Sequence, residues 1–205
     1  MKLRIVVLAK LPRPGLAKTR LIPALGADGA ARLAERLLRE AVRAACAAAI
    51  GEVELCLAPG SDDPLAHELA AAHGVRLAAQ IEGDLGARML DALDRGLRQA
   101  DGVLLMGTDA PALDTGLLRE AAAALAGHDA VLVPAADGGY ALIGLKQPLA
   151  TCFEQMPWST GEVLAATCAR LSAAGLSWIS TRTVHDIDTA QDLCHVPPSW
   201  IDPPR

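Results

Sequence analysis

The sequence predicts a single α/β domain with a mostly parallel mixed sheet and helices on both faces. Short apolar runs of strand length alternate with longer segments whose apolar residues recur at helical spacing. This order is typical of parallel strands joined by right-handed crossovers. The 205 residues, 52% of them hydrophobic, are enough for one domain with a substantial core. We place that domain at residues 1–196 and interpret the proline-rich residues 197–205 as a C-terminal tail.

The first half of the chain contains three strands separated by helices. Residues 3–9 form a continuous apolar run, as expected for a strand buried on both faces. In the helix that follows, Leu33, Leu37 and Ala41 recur at every fourth position and form an apolar stripe. The predicted elements are strands at 3–9, 52–58 and 75–80 and helices at about 28–50, 63–73 and 84–100.

The regular alternation ends in the second half of the chain. After strands at 103–106 and 130–134, an Asp-Gly pair separates the apolar segments 131–135 and 140–145, which indicates a hairpin. We therefore expect one antiparallel strand to join the parallel sheet. The other predicted elements are helices at about 115–126, 159–174 and 189–194 and a last strand near 176–184.

Bulk composition argues against several classes of function. The net charge of −5 and the five aromatic residues do not suit a nucleic-acid surface, which needs basic clusters and stacking platforms. No run reaches the ~20 apolar residues of a membrane span, and the first run is too short for a signal peptide. The five cysteines include no C-x-x-C pair, which leaves zinc ribbons and redox motifs unsupported. We expect a cytoplasmic protein that binds neither nucleic acid nor membrane.

Asp109 is the strongest single candidate for a functional residue. It follows a buried strand within Gly107-Thr108-Asp109-Ala110-Pro111, and Pro111 prevents simple continuation of that strand. Ligands of open α/β sheets bind beyond the carboxyl ends of the strands. A carboxylate there would hold Mg²⁺ or Mn²⁺ against a phosphate. The alternative is a cap for the next helix, for which Asp114 is better placed.

The loop after the first strand, residues 10–21 (KLPRPGLAKTRL), concentrates positive charge at the same edge. Lys10, Lys18 and Arg20 would neutralise phosphate groups, and Gly15 would let the backbone approach them closely. Neither the P-loop nor the dinucleotide glycine spacing is present, which argues against NAD and FAD. We interpret the loop as a phosphate-binding segment; the alternative is a solvated basic loop.

A second glycine-bearing segment, residues 80–89 (QIEGDLGARM), follows the third strand. Its glycines leave the start of the next helix open to a sugar or a base. We assign Gly83, Asp84 and Arg88 to the nucleotide site. Ordinary N-capping is the alternative explanation for Asp84.

Residues 185–189 (HDIDT) bring two more carboxylates to the end of the last strand. Alternation would point Asp186 and Asp188 to the same side. We predict that Asp186 completes the metal site with Asp109. Asp188 has capping-box spacing to Gln191, and we predict that it caps the short helix after it. His185 receives no role.

Two segments of the irregular half are candidates for acceptor binding, because loops on a rigid sheet usually carry specificity. Asp137 would accept a proton as a general base, and the indole face of Trp158 suits a sugar ring. The alternatives are a turn residue for Asp137 and a packing residue for Trp158. The predicted substrate-binding set is Gly138, Gly139, Tyr140, Trp158, Ser159 and Thr160.

Six segments in order carry a family resemblance: KLPRPGLAKTRL, GDLGARM, GTDAP, PAADGGYALIGL, MPWST and HDIDTAQDL. Together they resemble a bacterial family of nucleotide-diphospho-sugar transferase-like proteins, labelled as glycosyltransferases and in some members tied to arsenosugar biosynthesis. The chain is also similar to molybdopterin nucleotidyltransferases and 2-phospholactate guanylyltransferase. The resemblance implies a GT-A fold with a nucleotide at the first loop and a divalent metal on acidic residues. It matches Lys18 and Arg20 to the basic loop, Asp109 to the metal aspartate, and Asp186 and Asp188 to the late acidic segment.

Three functions are compatible with these residues. A glycosyltransferase would move a sugar from a nucleotide diphosphate to a small-molecule acceptor. A nucleotidyltransferase would join an NTP to a phosphorylated small molecule and release pyrophosphate. A non-catalytic protein would only bind the nucleotide. The same scaffold serves both transfers; we expect the glycosyltransferase, with Mg²⁺ or Mn²⁺ as cofactor.

Overall fold

The computed structural model describes residues 1–201 and contains seven strands. They are β1 Leu3–Lys10, β2 Gly51–Ala58, β3 Arg76–Ala79, β4 Gly102–Met106, β5 Ala130–Pro134, β6 Tyr140–Leu145 and β7 Trp178–Ser180. They form one sheet in the order β3-β2-β1-β4-β6-β5-β7. Only β6 runs antiparallel to its neighbours β4 and β5, while the other pairs are parallel. The predicted mixed α/β sheet with one antiparallel strand is confirmed.

Five α-helices connect the strands: α1 Ile22–Ala48, α2 Pro64–His73, α3 Leu85–Leu97, α4 Thr115–Gly127 and α5 Val163–Ala173. Helix α1 begins six residues earlier than predicted, because Pro23 lies in its first turn, where a missing N–H costs no hydrogen bond. Gly26, with φ 71°, breaks the helical geometry between this first turn and the main helix. Helix α5 begins four residues later than predicted, because Ser159 has a left-handed backbone with φ 64°.

The helices cover both faces of the sheet, as predicted. Helices α1, α2 and α4 pack on one face, and α3 and α5 pack on the other. Alternate residues of β1 belong to opposite faces: Ile5 and Val7 pack with the first group, and Val6 packs with the second. Burial of such side chains contributes roughly 1.5–3 kcal/mol each, so the central strands form a rigid platform for the loops at their ends.

The end of the described chain packs against the start of α1. Leu21, Leu33, Leu37, Ile187 and Val196 form a third buried cluster, which Trp200 and Ile201 also contact. Residues 198–200 form a short 3-10 helix within what the sequence predicted to be a tail; residues 202–205 of that tail lie outside the described part. Within residues 1–201, no helix is long and apolar enough to span a membrane.

Candidate functional site

The site lies where the loop after β1, the loop after β4 and residues 184–188 meet. Val184 forms a bridge with Ala135 beyond β5 and donates its backbone N–H to Pro134 O at 2.9 Å. Three residues later, the backbone N–H of Ile187 donates to the carbonyl oxygen of Asp109 at 2.8 Å. These bonds carry the late acidic segment across the sheet edge to Asp109; the metal role of Asp186 stays a prediction.

Lys18 lies at the centre of this meeting point. Its Nζ is 2.6 Å from Asp109 Oδ1 and 2.9 Å from Asp188 Oδ1, and only 8% of its side chain is exposed. Burial alone lowers the pKa of Lys18, but the charges of Asp109 and Asp188 outweigh it and leave that pKa above its ordinary value. The ammonium is therefore charged and bridges two carboxylates that are far apart in sequence.

The backbone around Lys18 is fixed by apolar neighbours. Ala17 and Leu21 are buried on either side of it, and Leu21 donates its N–H to Lys18 O at 2.8 Å, which starts a short 3-10 helix. Lys18 itself has a left-handed backbone, with φ 48° and ψ 46°. Such a conformation costs a non-glycine residue of order 1–3 kcal/mol and is concentrated at functional sites.

The structure corrects the prediction for Asp188. Thr189, not Asp188, is the N-cap of the 3-10 helix Ala190–His195, and it forms a capping box with Asp192 rather than Gln191. The capping pattern is shifted by one residue, which frees the Asp188 carboxylate to bind Lys18. The ring of His185, which had no predicted role, stacks on His195 with centroids 4.0 Å apart.

Asp186 is half-buried among other carboxylates. Burial raises its pKa, and the negative charges of Asp137, Asp188 and Asp192 raise it further. Asp186 is therefore a destabilised anion in an acidic environment, which an additional positive charge would stabilise.

We tested whether these residues suit the divalent metal that the fold implies. Within residues 1–201, no three His, Cys, Asp or Glu side chains are arranged to hold a metal ion. The donor chemistry nevertheless fits: Asp109, Asp186 and Asp188 offer carboxylate oxygens, the ligands that Mg²⁺ and Mn²⁺ prefer. The Lys18 ammonium contacts two of these carboxylates, those of Asp109 and Asp188. In donor type, these carboxylates therefore suit a hard cation.

The rest of the basic loop is open to solvent. Lys10, at the end of β1, and Arg20 are exposed. Gly15 has φ 78°, and a Cβ there would meet no heavy atom within 4 Å. The glycine thus supplies a turn rather than a close packing contact, and the predicted phosphate contacts of this loop remain proposals.

The start of α3 combines capping with a strand-end contact that the sequence analysis missed. Asp84 is the N-cap and accepts the N–H of Ala87 at 2.8 Å, while Arg88 Nε donates to Gly83 O at 3.0 Å. Capping therefore accounts for Asp84.

The side chain of Gln80 links two neighbouring strands. Its Nε2 donates to Ala9 O at 2.8 Å and to Cys56 O at 3.0 Å, and so ties β1 and β2 together beside the basic loop. In the sequence, the only signal for this role is that Gln80 lies at the end of the third predicted strand.

Asp137 and Gly138 form a structured turn between β5 and β6. Asp137 Oδ1 accepts the N–H of Gly139 at 2.8 Å, which is the turn alternative, yet the residue is exposed and its charge reaches Asp186. A Cβ on Gly138 would lie 2.3 Å from Gly161 O, so this glycine is required for contact with the segment before α5. Asp137 remains available to a ligand; Gly138 has a packing role.

The segment with Trp158 packs on the start of α3. The indole packs with the core residues on the sheet face that α3 and α5 cover. A Cβ on Gly86 would lie 3.1 Å from the indole Nε1. Within the described residues, this buried Nε1 has no hydrogen-bond partner. Thr160 Oγ1 donates to Pro157 O at 2.7 Å. The side chain of Ser159 is exposed. The phenol of Tyr140, by contrast, is buried, and this burial raises its pKa.

A cavity of about 390 Å³ lies beside this segment. It is lined by Asp84, Gly86, Ala87, Leu90, Phe153, Glu154 and Gln155. Its apolar lining and the carboxylates of Asp84 and Glu154 lie next to the predicted nucleotide residues at the start of α3. The cavity is large enough to admit part of a small molecule.

Comparisons with known proteins identify the family. A family model described as an uncharacterized protein conserved in bacteria (DUF2064) matches residues 37–160. A solved protein from Desulfovibrio desulfuricans G20, a candidate nucleotide-diphospho-sugar transferase, is similar with 31% identity and a TM-score of 0.83, over 92% of this chain and 84% of that one. No curated protein matches.

Two other solved structures share the fold at lower identity. One is a CMP:2-keto-3-deoxy-manno-octonic acid synthetase complexed with CTP (13% identity, TM-score 0.56, 95% of this chain and 96% of that one). The other is the manganese complex of Rv0371c from Mycobacterium tuberculosis H37Rv (17% identity, TM-score 0.54, 95% and 97%).

The fold and these comparisons define the class: the chain has the nucleotide-diphospho-sugar transferase fold and is a transferase. It belongs to the bacterial family DUF2064, whose model matches more than half of the chain.

Proposed function

We propose that this chain is a metal-dependent glycosyltransferase that uses a nucleotide-diphosphate sugar. The observation that carries the proposal is the bridge from Asp109 through Lys18 to Asp188 at the sheet edge. It places a buried cation beside an acidic cluster, next to a loop with further exposed cations. A diphosphate held through a divalent metal needs both kinds of group.

In this proposal the basic loop binds the diphosphate. Lys18 and Arg20 donate charge-assisted hydrogen bonds to phosphate oxygens, and Lys10 adds positive charge at the end of β1. These groups stabilise the negative charge that develops on the departing nucleoside diphosphate. Gly83 and Arg88 border the nucleotide at the start of α3.

Asp109, Asp186 and Asp188 are the residues that would hold Mg²⁺ or Mn²⁺. The bound metal supplies Lewis-acid stabilisation of the leaving diphosphate. The manganese complex of a protein with this fold supports the choice of a divalent metal. Asp188 enters this set because its carboxylate shares Lys18 with Asp109.

The acceptor is proposed to lie over the β5–β6 turn. Its hydroxyl oxygen forms a bond to the anomeric carbon as the bond from that carbon to the diphosphate oxygen breaks. Asp137 takes the hydroxyl proton as a general base. Gly139, Trp158, Ser159 and Thr160 border this position, with Tyr140 behind them.

A nucleotidyltransferase is the second candidate, because the structure complexed with CTP shares this fold. The same residues would then hold a triphosphate. A phosphate oxygen of the second substrate would attack the α-phosphorus and displace pyrophosphate. The released product, a nucleoside diphosphate or pyrophosphate, separates the two functions.

The test is a panel of nucleotide sugars and NTPs titrated against the protein with Mn²⁺ and followed by calorimetry. We expect a nucleotide sugar to bind more tightly than any NTP and to hydrolyse slowly to the nucleoside diphosphate. Release of pyrophosphate from an NTP would favour the second candidate. Absence of Mn²⁺-dependent binding by every nucleotide would refute both.

A further inference from the structure

We infer that the Lys18 ammonium and a divalent cation are alternative occupants of the same carboxylates, Asp109 and Asp188. In the nucleotide-free protein the lysine holds that position. The metal must displace the lysine to enter, and it does so readily only when a phosphate group draws the lysine away. This inference rests on the proposed function and describes how its two ligands are coupled.

The inference rests on the position of the Lys18 ammonium between two carboxylates. The distances of 2.6 and 2.9 Å from Nζ to Asp109 and Asp188 are those of strong charge-assisted hydrogen bonds. A cation within reach of both carboxylates would lie in the space that Nζ occupies. Two positive charges sharing that space repel each other, so one must leave before the other binds.

The surroundings of Lys18 allow its side chain to move while its backbone stays in place. Ala17 and Leu21 are buried and anchor the chain on both sides. Asp109 and Asp188, by contrast, have side chains that are 51% and 38% exposed. The lysine can therefore turn its ammonium toward the solvent side of the site, where the exposed loop would present it to a phosphate.

The charges decide which occupant is favoured. Without a ligand, Lys18 is the cation held by Asp109 and Asp188, and their attraction keeps it there. A diphosphate brings negative charge that attracts Lys18, and its oxygens also supply metal ligands that the protein lacks. The two ligands should therefore bind cooperatively, because coupling between two sites is reciprocal. Metal alone is expected to bind weakly.

The test measures Mn²⁺ binding without nucleotide, by the loss of the free-ion electron paramagnetic resonance signal. Lys18→Met removes the ammonium and keeps an apolar side chain. The control is Lys146→Met, which makes the same change in net charge at a lysine that follows β6 and donates to Ala126 O. We expect Lys18→Met to bind Mn²⁺ at least about tenfold more tightly than the wild type, and Lys146→Met to bind like the wild type. Equal or weaker binding by Lys18→Met would overturn the inference.

A second measurement uses the wild-type protein, in case Lys18→Met does not fold. Amine acetylation is mapped by mass spectrometry with and without saturating Mn²⁺. Displacement by the metal should raise the acetylation rate of Lys18 severalfold and leave that of Lys146 unchanged. If bound Mn²⁺ leaves Lys18 equally protected, the inference fails while the proposed function stands. If no variant binds Mn²⁺ even with nucleotide present, the proposed metal site fails and the inference with it.

Discussion

Two clusters of charged side chains, each built around a buried cation, lie toward opposite ends of the sheet and differ in how their charges balance. Near the start of β1, Arg4 is 3% exposed and contacts Glu52 and Glu54, and Glu54 also binds Arg95 at 2.7 Å. At the other end, the ammonium of Lys18 contacts Asp109 and Asp188, and the charge of Asp188 also acts on Asp186. The first cluster matches cations and anions; the second has an excess of anions.

The two clusters also differ in the elements that hold them. Arg4 and Glu54 lie on adjacent strands, and Arg95 lies on α3, which packs on the same sheet. Lys18 and its partners lie on loops beyond the strand ends. A balanced network on rigid elements is complete without a ligand, whereas an unbalanced one on loops can accept a cation. The following predictions test whether the first cluster acts in stability and the second in binding.

The largest effect is expected from replacing both Lys18 and Arg20 with Ala. If both hold the diphosphate, each lost charge-assisted bond costs about 1.5–3 kcal/mol of binding free energy. The affinity for a nucleoside diphosphate, measured by calorimetry, should fall far more than that for the free nucleoside. Equal weakening of both ligands would mean that the loop affects only folding.

The balanced cluster should show a comparable effect on stability instead. Glu54→Gln removes the carboxylate that Arg4 and Arg95 share, and a buried pair that loses one partner costs about 3–5 kcal/mol. Urea unfolding should show a free energy of unfolding lowered by roughly 3 kcal/mol. Glu52→Gln is the matched control, because its carboxylate is 49% exposed and should cost less than about 1 kcal/mol.

Asp109→Ala sharpens the comparison, because it removes one of the two carboxylates that contact Lys18 in the unbalanced cluster. Lys18 keeps Asp188, so the free energy of unfolding should fall by less than about 1 kcal/mol. Binding of nucleotide with Mn²⁺ should weaken by at least about 100-fold, since removing even an indirect supporter of a metal ligand costs 10–100-fold. Unchanged affinity in the calorimetric titration would exclude Asp109 from the site.

The same contrast explains what the sequence could predict. Strand β5 was predicted at 130–134 and has those bounds, because a short apolar run between turn signals has few alternatives. Asp109 and Lys18 were identified because strand ends and charge clusters are local patterns. The contacts of Lys18 could not be predicted in the same way, since its bond to Asp188 joins residues that are 170 positions apart. Asp188 was misassigned because Asp188 and Thr189 both offer capping spacing, and only the folded backbone shows which one caps.

The smallest effects on stability and donor binding are expected at Asp137 and Trp158, where packing and binding roles meet. Asp137→Asn keeps the hydrogen bond from Gly139 N–H to Oδ1, so stability and donor binding should hardly change. A lost general base should slow transfer by about 100-fold or more. Full activity of Asp137→Asn in a single-turnover assay would leave it a turn residue.

Trp158→Phe separates packing from acceptor binding. It removes a buried N–H that has no partner among the described residues, so the free energy of unfolding should change by less than about 1 kcal/mol. Gly86→Ala is the contrasting variant: its Cβ would lie 2.5 Å from Phe153 O, so overpacking should cost about 1–3 kcal/mol. A smaller aromatic face should raise the acceptor KM of Trp158→Phe severalfold while kcat and donor affinity stay unchanged. If Trp158→Phe instead destabilises the fold as much as Gly86→Ala and leaves KM unchanged, Trp158 is a packing residue, and the acceptor must contact the exposed side chains of Ser159 and Thr160.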